Sequence, residues 1–561
     1  MLCIFGYRLR YNKKIKMSFG SDVPWGIRFI QRFADICCPR FYFNRELCYR
    51  GSIVFLTYIS YMCYHLSRKP ISVVKTVLHR NCSKLVPPDS NEPSNWCDWA
   101  PFDGTDDSAS QMLGELDSSF LFCYAIAMFV SGIIAERVNI RYFLSIGMIL
   151  SGVFTYLLGF AKTYNIHNLF YYVIVQGMGG IFQTTGWPGV VTVMSNWFGK
   201  SKRGLIFGLW NSHTCIGNIL GTAIAAEYVE KDWALSFMMP GLYIGIVGFV
   251  VFLFLVVNPN DVGCASPDRG VEIRPKRNSR LESGIVNDSS GFDSDVDDTE
   301  IIIGEHDILT RSRHSATDSL EVQRRATENS LLLPRSNSDS IQVEQEAIGF
   351  INAFRIPGVV EFSLALFFSK LVSYTFLYWL PLYLNASTSM GATDSANFSI
   401  LFDVGGIIGG IIAGYATDKT DMPAATCSLM LILAAPMMFI YEKISVVHLG
   451  LNMILLVTVG VLVNGPYALI TTAVAAELGT HHSLEGNAKA MATVTAIIDG
   501  TGSIGAAVGP LMAGFIKSYG WQNVFFMLMV SDICALFLLV RLVRREIVKL
   551  RNSRRTAIRI E

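Results

Sequence analysis

Arg68 and Lys69 stand side by side in an otherwise apolar run, Tyr58-Ile59-Ser60-Tyr61-Met62-Cys63-Tyr64-His65-Leu66-Ser67-Arg68-Lys69. A cation inside hydrocarbon costs about 2.5 to 3.5 kcal/mol on insertion scales, so such residues persist mainly where a counter-anion or a watery cavity meets them. A guanidinium offers a planar fork that grips two phosphate oxygens, and in a partly dry cavity each charge contact near ~4 Å is worth about 4 kcal/mol before desolvation. The expected chemistry is binding of an anion, with a phosphoryl group as the natural fit. The competing reading of Arg68 is a structural ion pair with an intramembrane acid. On a continuous helix Lys69 points about 100° away from Arg68, so the two do not address one ligand directly.

The elements that must position these cations are membrane helices. Of 561 residues 51% are hydrophobic and only 16% charged, which excludes an ordinary soluble multidomain protein. Apolar stretches recur at 52–77, 115–136, 141–162, 168–194, 205–229, 234–257, 354–384, 396–417, 424–441, 449–473, 488–516 and 521–543. These spans lack strand alternation, and a spanning segment must satisfy its own backbone, so the sequence predicts an all-α integral membrane protein and not a β-barrel. Net charge is near zero and indicates neither nucleic acid nor any other charged partner beyond the bilayer.

Charge placement orients the chain. Residues 1–51 carry a run of Lys and Arg, and 546–561 carry another, so both ends are expected in the cytoplasm. The first loop, about 80–114, is acidic and holds the sequon Asn81-Cys82-Ser83, which places it on the luminal or external side with Asn81 as a glycosylation candidate. Cys82 and Cys97 share that loop and are candidates for a disulfide. The twelve cysteines show no metal-ligand spacing, and neither a metal nor a cofactor is expected. Residues 258–350 are rich in Ser, Asp, Arg and Asn and read as a disordered cytoplasmic linker between bundles at 52–257 and 351–545.

The halves also echo each other. Gly132-Ile133-Ile134-Ala135-Glu136-Arg137 follows the second span, and Gly414-Tyr415-Ala416-Thr417-Asp418-Lys419 follows the eighth. In both, an acid comes four residues after the glycine and a cation next, a turn suited to locking neighbouring helices through Glu136, Arg137, Asp418 and Lys419. This six-plus-six pattern resembles the major facilitator superfamily, which implies two six-helix bundles. A sharper likeness lies in Gly186-Trp187-Pro188, Trp197, Arg203-Gly204, Gly208, Trp210-Asn211 and Gly217, with the Arg68-Lys69 pair and Trp379-Leu380-Pro381. These residues are similar to the organophosphate:phosphate antiporters. The long linker and large first loop most resemble the solute carrier family 37 sugar-phosphate exchangers.

That resemblance implies exchange of a sugar phosphate, with glucose 6-phosphate the expected substrate, for inorganic phosphate across the endoplasmic reticulum membrane. It also implies a pairing of Lys69 with Asp403, whose position resembles an acid in the family's eighth span. The second ligand cation should come from the other half, and Lys370 is the candidate. Here the chain departs from the family: Ser373 stands where the bacterial antiporters carry Arg, and Lys370 lies about one turn earlier. Lys370 is expected either to bind substrate, to snorkel or to pair with Asp499. His213 is either a phosphate-sensing group or a hydrogen-bonded structural residue, with Thr214 where the bacterial carriers place their His. Tyr61, Tyr64 and Trp187 either line the ligand or pack. A membrane phosphatase would need a nucleophile or paired acid and base beside the cations, and no such motif is present. A proton- or sodium-coupled organic-anion carrier and a transport-inactive phosphate receptor are the remaining alternatives.

Overall fold

The computed structural model describes residues 23–30, 45–78, 99–102, 106–135, 137–198, 209–265, 354–444, 448–479 and 488–560. Asn81, Cys82, Cys97, Glu136 and the linker from 266 to 353 lie outside these residues. The described residues form helices joined by short turns. The N-terminal half comprises α1 (Arg45–Arg68), α2 (Pro70–Leu78), α3 (Asp106–Ala135), α4 (Ile140–Thr163), α5 (Leu169–Gln183), α6 (Gly186–Phe198), α7 (His213–Val229) and α8 (Trp233–Phe254). The C-terminal half comprises α9 (Val359–Ser387), α10 (Ala392–Thr420), α11 (Pro423–Ile444), α12 (Leu449–Leu469), α13 (Ala488–Ile516) and α14 (Trp521–Ile560).

Among the described residues nine helices are each long and apolar enough to cross a membrane. The other three predicted spans are covered by α1 with α2, by α5 with α6, and by α7, so the expected count of twelve is consistent with the fold. Ile146, Phe170, Phe249, Leu429, Ile454 and Phe537 are exposed on the outer faces, where lipid rather than water would meet them. Three boundaries differ most from those read in the sequence. Helix α3 begins at Asp106, within the predicted first loop, rather than near 115. Helix α1 begins at Arg45 rather than near 52, and α14 runs unbroken through the basic tail to Ile560. At 40 residues α14 is about 60 Å long, roughly twice the hydrocarbon thickness.

The first span is not one helix. Proline disfavours helical backbone at the residue before it and opens a helix without sacrificing an N–H, so α1 stops at Arg68, Lys69 forms the joint, and Pro70 starts α2. The fourth span breaks similarly at Thr184-Thr185, and Pro188 sits in the first turn of α6.

Helix α1 packs against α7 and α8, and α4 against α8; in the other half α9 packs on α13, α10 on α12 and α11 on α14. The halves meet through α3 with α13, α7 with α10, and α2 with α9. One buried apolar cluster contains residues of both halves, including Ile71, Val74, Phe102, Leu113, Tyr378, Trp379, Ala506 and Val524. It lies toward the face bearing the first loop. The other three clusters each stay within one half. The bundles are thus joined by a shared core on the first-loop face.

Glycine sets the α1/α7 spacing. A Cβ on Gly217 would stand 2.3 Å from the Met62 carbonyl oxygen, and one on Gly221 would stand 2.4 Å from that of Leu66. Gly217→Val should therefore force α1 away from α7 and destabilise the protein by about 1 to 3 kcal/mol, read as a lower melting temperature of the detergent-purified protein. An unchanged melting temperature would show that the two helices do not keep this contact in solution.

Candidate functional site: a charged seam between two bundles

The proline joint at Lys69 decides where the two adjacent cations go. Arg68, 4% exposed, turns into the N-terminal bundle. Its Nε donates to Gln183 Oε1, its guanidinium carbon lies 4.7 Å from the Tyr124 ring centroid, and Nη2 is buried without a partner. Gln183 is itself fixed by donating to Ser67 Oγ at 2.9 Å. Among the described residues no carboxylate lies within ion-pair distance of Arg68. Its electrostatic neighbours are instead Tyr124, Tyr374, Tyr61 and Tyr378.

Lys69 turns the other way, toward the C-terminal bundle. Its Nζ is 3.8 Å from Asp403 Oδ2 and donates to the Leu377 carbonyl at 2.9 Å. That carbonyl is free for a reason legible in α9: its helical donor would be residue 381, which is proline and has no N–H. The Asp403 carboxylate is held on its other oxygen by Asn218 Nδ2 at 2.8 Å, and Asn218 Oδ1 meets His65 Nδ1 at 3.2 Å. A continuous polar chain therefore runs from α1 through α7 to α10 and α9.

Lys370 is not a free cation. Its Nζ donates to Asp499 Oδ1 at 2.7 Å, and both groups are buried. The rings of Tyr374 and Tyr467 lie 6.0 and 5.7 Å from Nζ. Tyr374 is thus common ground between Lys370 and Arg68. Ser373, at the position of the family's arginine, donates to Asn464 Oδ1 at 2.6 Å.

The aromatic candidates gather around Tyr61. Its ring centroid lies 6.1 Å from that of Tyr64, 5.2 Å from His65, 5.1 Å from Trp187 and 4.8 Å from His213. Tyr64 Oη is bonded to Thr185 Oγ1 at 2.7 Å, and His213 Nδ1 meets Thr214 Oγ1 at 3.2 Å. Trp187 Nε1, His65 Nε2 and His213 Nε2 are all buried without partners. Packing accounts for the rings, but these three ring nitrogens leave hydrogen-bonding capacity unused in the buried cluster.

Of the duplicated turns, Glu136 lies outside the described residues. Arg137, Asp418 and Lys419 are exposed and form no ion pair among the described residues. Asp418 and Lys419 sit in the exposed last turn of α10, where water competes for their charges. The fastening is made next door: Glu546 accepts from the backbone N–H groups of Ala424 and Ala425 at 2.8 and 2.9 Å, and Lys549 pairs with Asp421 at 3.0 Å. A carboxylate at the N-terminus of α11 is favoured by the helix dipole as well.

Several residues of the seam went unnoticed in the sequence. Gln183, Tyr124, Asn218, Tyr374 and Tyr467 are ordinary residues of apolar runs and carry no separate signal. Lys75 and Asp117 did carry one, as charges inside the first and second spans, and they form a buried ion pair between α2 and α3.

The profile of the Major Facilitator Superfamily matches residues 57–484. The chain is 50% identical to the glucose-6-phosphate exchanger SLC37A2 of Xenopus laevis, covering 90% of this chain and 94% of the relative, and 49% identical to that of Homo sapiens with the same coverage. It is 45% identical to the human glucose-6-phosphate exchanger SLC37A1, covering 94% and 97%. Among solved structures, a bacterial homologue of the human lysosomal transporter Spinster superimposes with a TM-score of 0.52 at 14% identity, covering 89% of this chain and 98% of that one. That likeness concerns the fold alone. The two-bundle architecture, the charged seam and these relatives together place the chain in the major facilitator superfamily and, within it, in the SLC37 family of sugar-phosphate exchangers.

Proposed function

We propose that this transporter exchanges glucose 6-phosphate for inorganic phosphate across the endoplasmic reticulum membrane by alternating access, with both termini in the cytoplasm. The observation that carries the reading is the charge balance of the seam. Lys69 and Lys370 each face an acid at 3.8 and 2.7 Å, whereas Arg68 is buried among rings and an amide with one guanidinium nitrogen unbonded. A phosphoryl group supplies the missing negative charge and the acceptor oxygens that this fork requires.

Exchange follows from that imbalance. Closing the bundles over an empty site buries an uncompensated cation, which is unfavourable, and a bound phosphoryl group removes the penalty. Its second negative charge competes with Asp499 for Lys370, through the space shared by Tyr374, and so draws the C-terminal bundle onto a ligand held by Arg68. The sugar hydroxyls then meet the unpaired nitrogens of His65, His213 and Trp187. In this conformation the shared apolar core joins the halves on the first-loop face, so the site is sealed from that side. Identities near one half to proteins named glucose-6-phosphate exchangers support the sugar. The acidic first loop and the basic ends support the orientation.

Two outcomes test this reading. Proteoliposomes preloaded with phosphate or glucose 6-phosphate should take up labelled phosphate, and vesicles loaded with buffer should not. Arg68→Ala should lower that uptake by about 100-fold, the effect of some 3 kcal/mol of lost charge-assisted binding. Equal uptake by empty vesicles, or undiminished exchange by the variant, would overturn the assignment. Separately, Asp403→Ala leaves Lys69 buried and unpaired, and should cost about 3 to 5 kcal/mol. Most of that should be recovered in Lys69→Met/Asp403→Ala, measured by thermal unfolding in detergent. An additive double variant would show that the pair is not coupled.

A further inference from the structure

Lys75 lies seven residues beyond Arg68 and is fully buried at the seam, where α2 meets α9. It pairs with Asp117 of its own bundle and reaches across to the other, with Nζ 3.5 Å from the Tyr378 carbonyl oxygen and 4.6 Å from the Trp379 ring centroid. The central site uses neither member of this pair. A buried ion pair kept only for architecture is expected to have its remaining donors and acceptors matched, since each orphan in low dielectric is costly. Here Asp117 Oδ1 is buried without a partner, and so is Nε1 of the neighbouring Trp379.

Tyr378 separates this cluster from Arg68. Its ring centroid is 5.6 Å from Lys75 Nζ, it lines a small cavity together with Arg68, Ser67 and Gln183, and it lies within electrostatic range of both Arg68 and Asp117. Lys75 lies on α2, beyond the joint at Lys69 and toward the first-loop face. A cation, a tyrosine partition and a second cation are thus stacked along the route by which a ligand would reach Arg68 from that face.

We propose that Lys75 is a second phosphoryl-binding position on the first-loop side of Arg68, covered in this conformation by Tyr378 and Trp379 and uncovered when α9 withdraws from α2. The proposal rests on the exchange reading above. When the seam parts, Lys75 loses the Tyr378 carbonyl and the Trp379 ring, and phosphate oxygens take their places. Asp117 keeps the ammonium compensated when no ligand is present and holds the affinity low, which a way station needs if the ligand is to move on to Arg68.

The test uses full-length protein reconstituted at high dilution, so that a vesicle holds a single molecule, with vesicles sorted by capture through a C-terminal tag. Phosphate exchange is then measured with inorganic phosphate offered at each face in turn. Lys75→Gln should raise KM for phosphate at the first-loop face about tenfold, the effect of about 1.4 kcal/mol, and leave KM at the opposite face within about twofold. Lys75→Gln/Asp117→Asn, which removes both buried charges, should keep the tenfold higher KM, whereas Asp117→Asn alone should not raise it. Equal loss at both faces in Lys75→Gln with full recovery in the neutral double variant would show a purely structural pair and overturn the proposal. So would an unchanged KM at the first-loop face. Absence of exchange in the unmodified protein would instead overturn the transport reading on which the proposal stands.

Discussion

A cation buried in hydrocarbon must be compensated by an acid, by a ligand or by exposure to water, and the seam between the two bundles is organised by that requirement. Three lysines meet it with acids. Lys75 takes Asp117 within the N-terminal bundle, Lys370 takes Asp499 within the C-terminal bundle, and Lys69 spans the two by facing Asp403. Arg68 has no acid within reach among the described residues, only aromatic faces and the Gln183 amide. The asymmetry separates three cations matched by acids from one that is not, and it is the guanidinium, with its forked donors, that is left unmatched.

Helix irregularities make this division possible. Had α1 continued smoothly through Pro70, Arg68 and Lys69 would have stayed about 100° apart on one rigid rod. The break lets Arg68 face Gln183 while Lys69 reaches Leu377 and Asp403 in the other bundle. The Leu377 carbonyl is available because Pro381 cannot donate to it, so one proline turns the cation outward and another supplies an acceptor. Close packing of α1 on α7 at Gly217 and Gly221 then brings Asn218 between His65 and Asp403. Backbone defects that would weaken an ordinary helix here serve as the joints of an inter-bundle network.

The same network gives the closed face its character. On the first-loop side the bundles share a buried apolar core, reinforced by Lys517 donating to Ser110 Oγ at 2.8 Å and by Ser118 Oγ donating to the Ala507 carbonyl at 3.2 Å. Each of these contacts is modest, of order 1 kcal/mol, so the seam is a set of weak fastenings rather than a single bolt. A ligand that contributes a few kcal/mol of differential binding is enough to shift such an equilibrium.

Much of the architecture was legible in the sequence, because membrane helices are dictated by local composition: a span needs about twenty apolar residues wherever it finally packs. Arg68 was legible for the same reason, since a cation in such a run is anomalous whatever surrounds it, and the likeness to a known family added Asp403 and Lys370. What the sequence alone could not settle was which partner each charge would find. Gln183 is 115 residues from Arg68, and Leu377 is 308 from Lys69. Lys370 could bind substrate or Asp499 with equal plausibility until α13 was placed beside α9. The duplicated acid-basic turns looked like locks, yet Asp418 and Lys419 ended exposed while Glu546 and Lys549, on an unexpectedly long α14, took over the fastening. Lys75 and Asp117 were visible as charges but uninterpretable one at a time. Hydrophobicity is a property of a segment and is fixed by the chain; compensation of a buried charge is a property of a pair, and only the tertiary structure brings its members together.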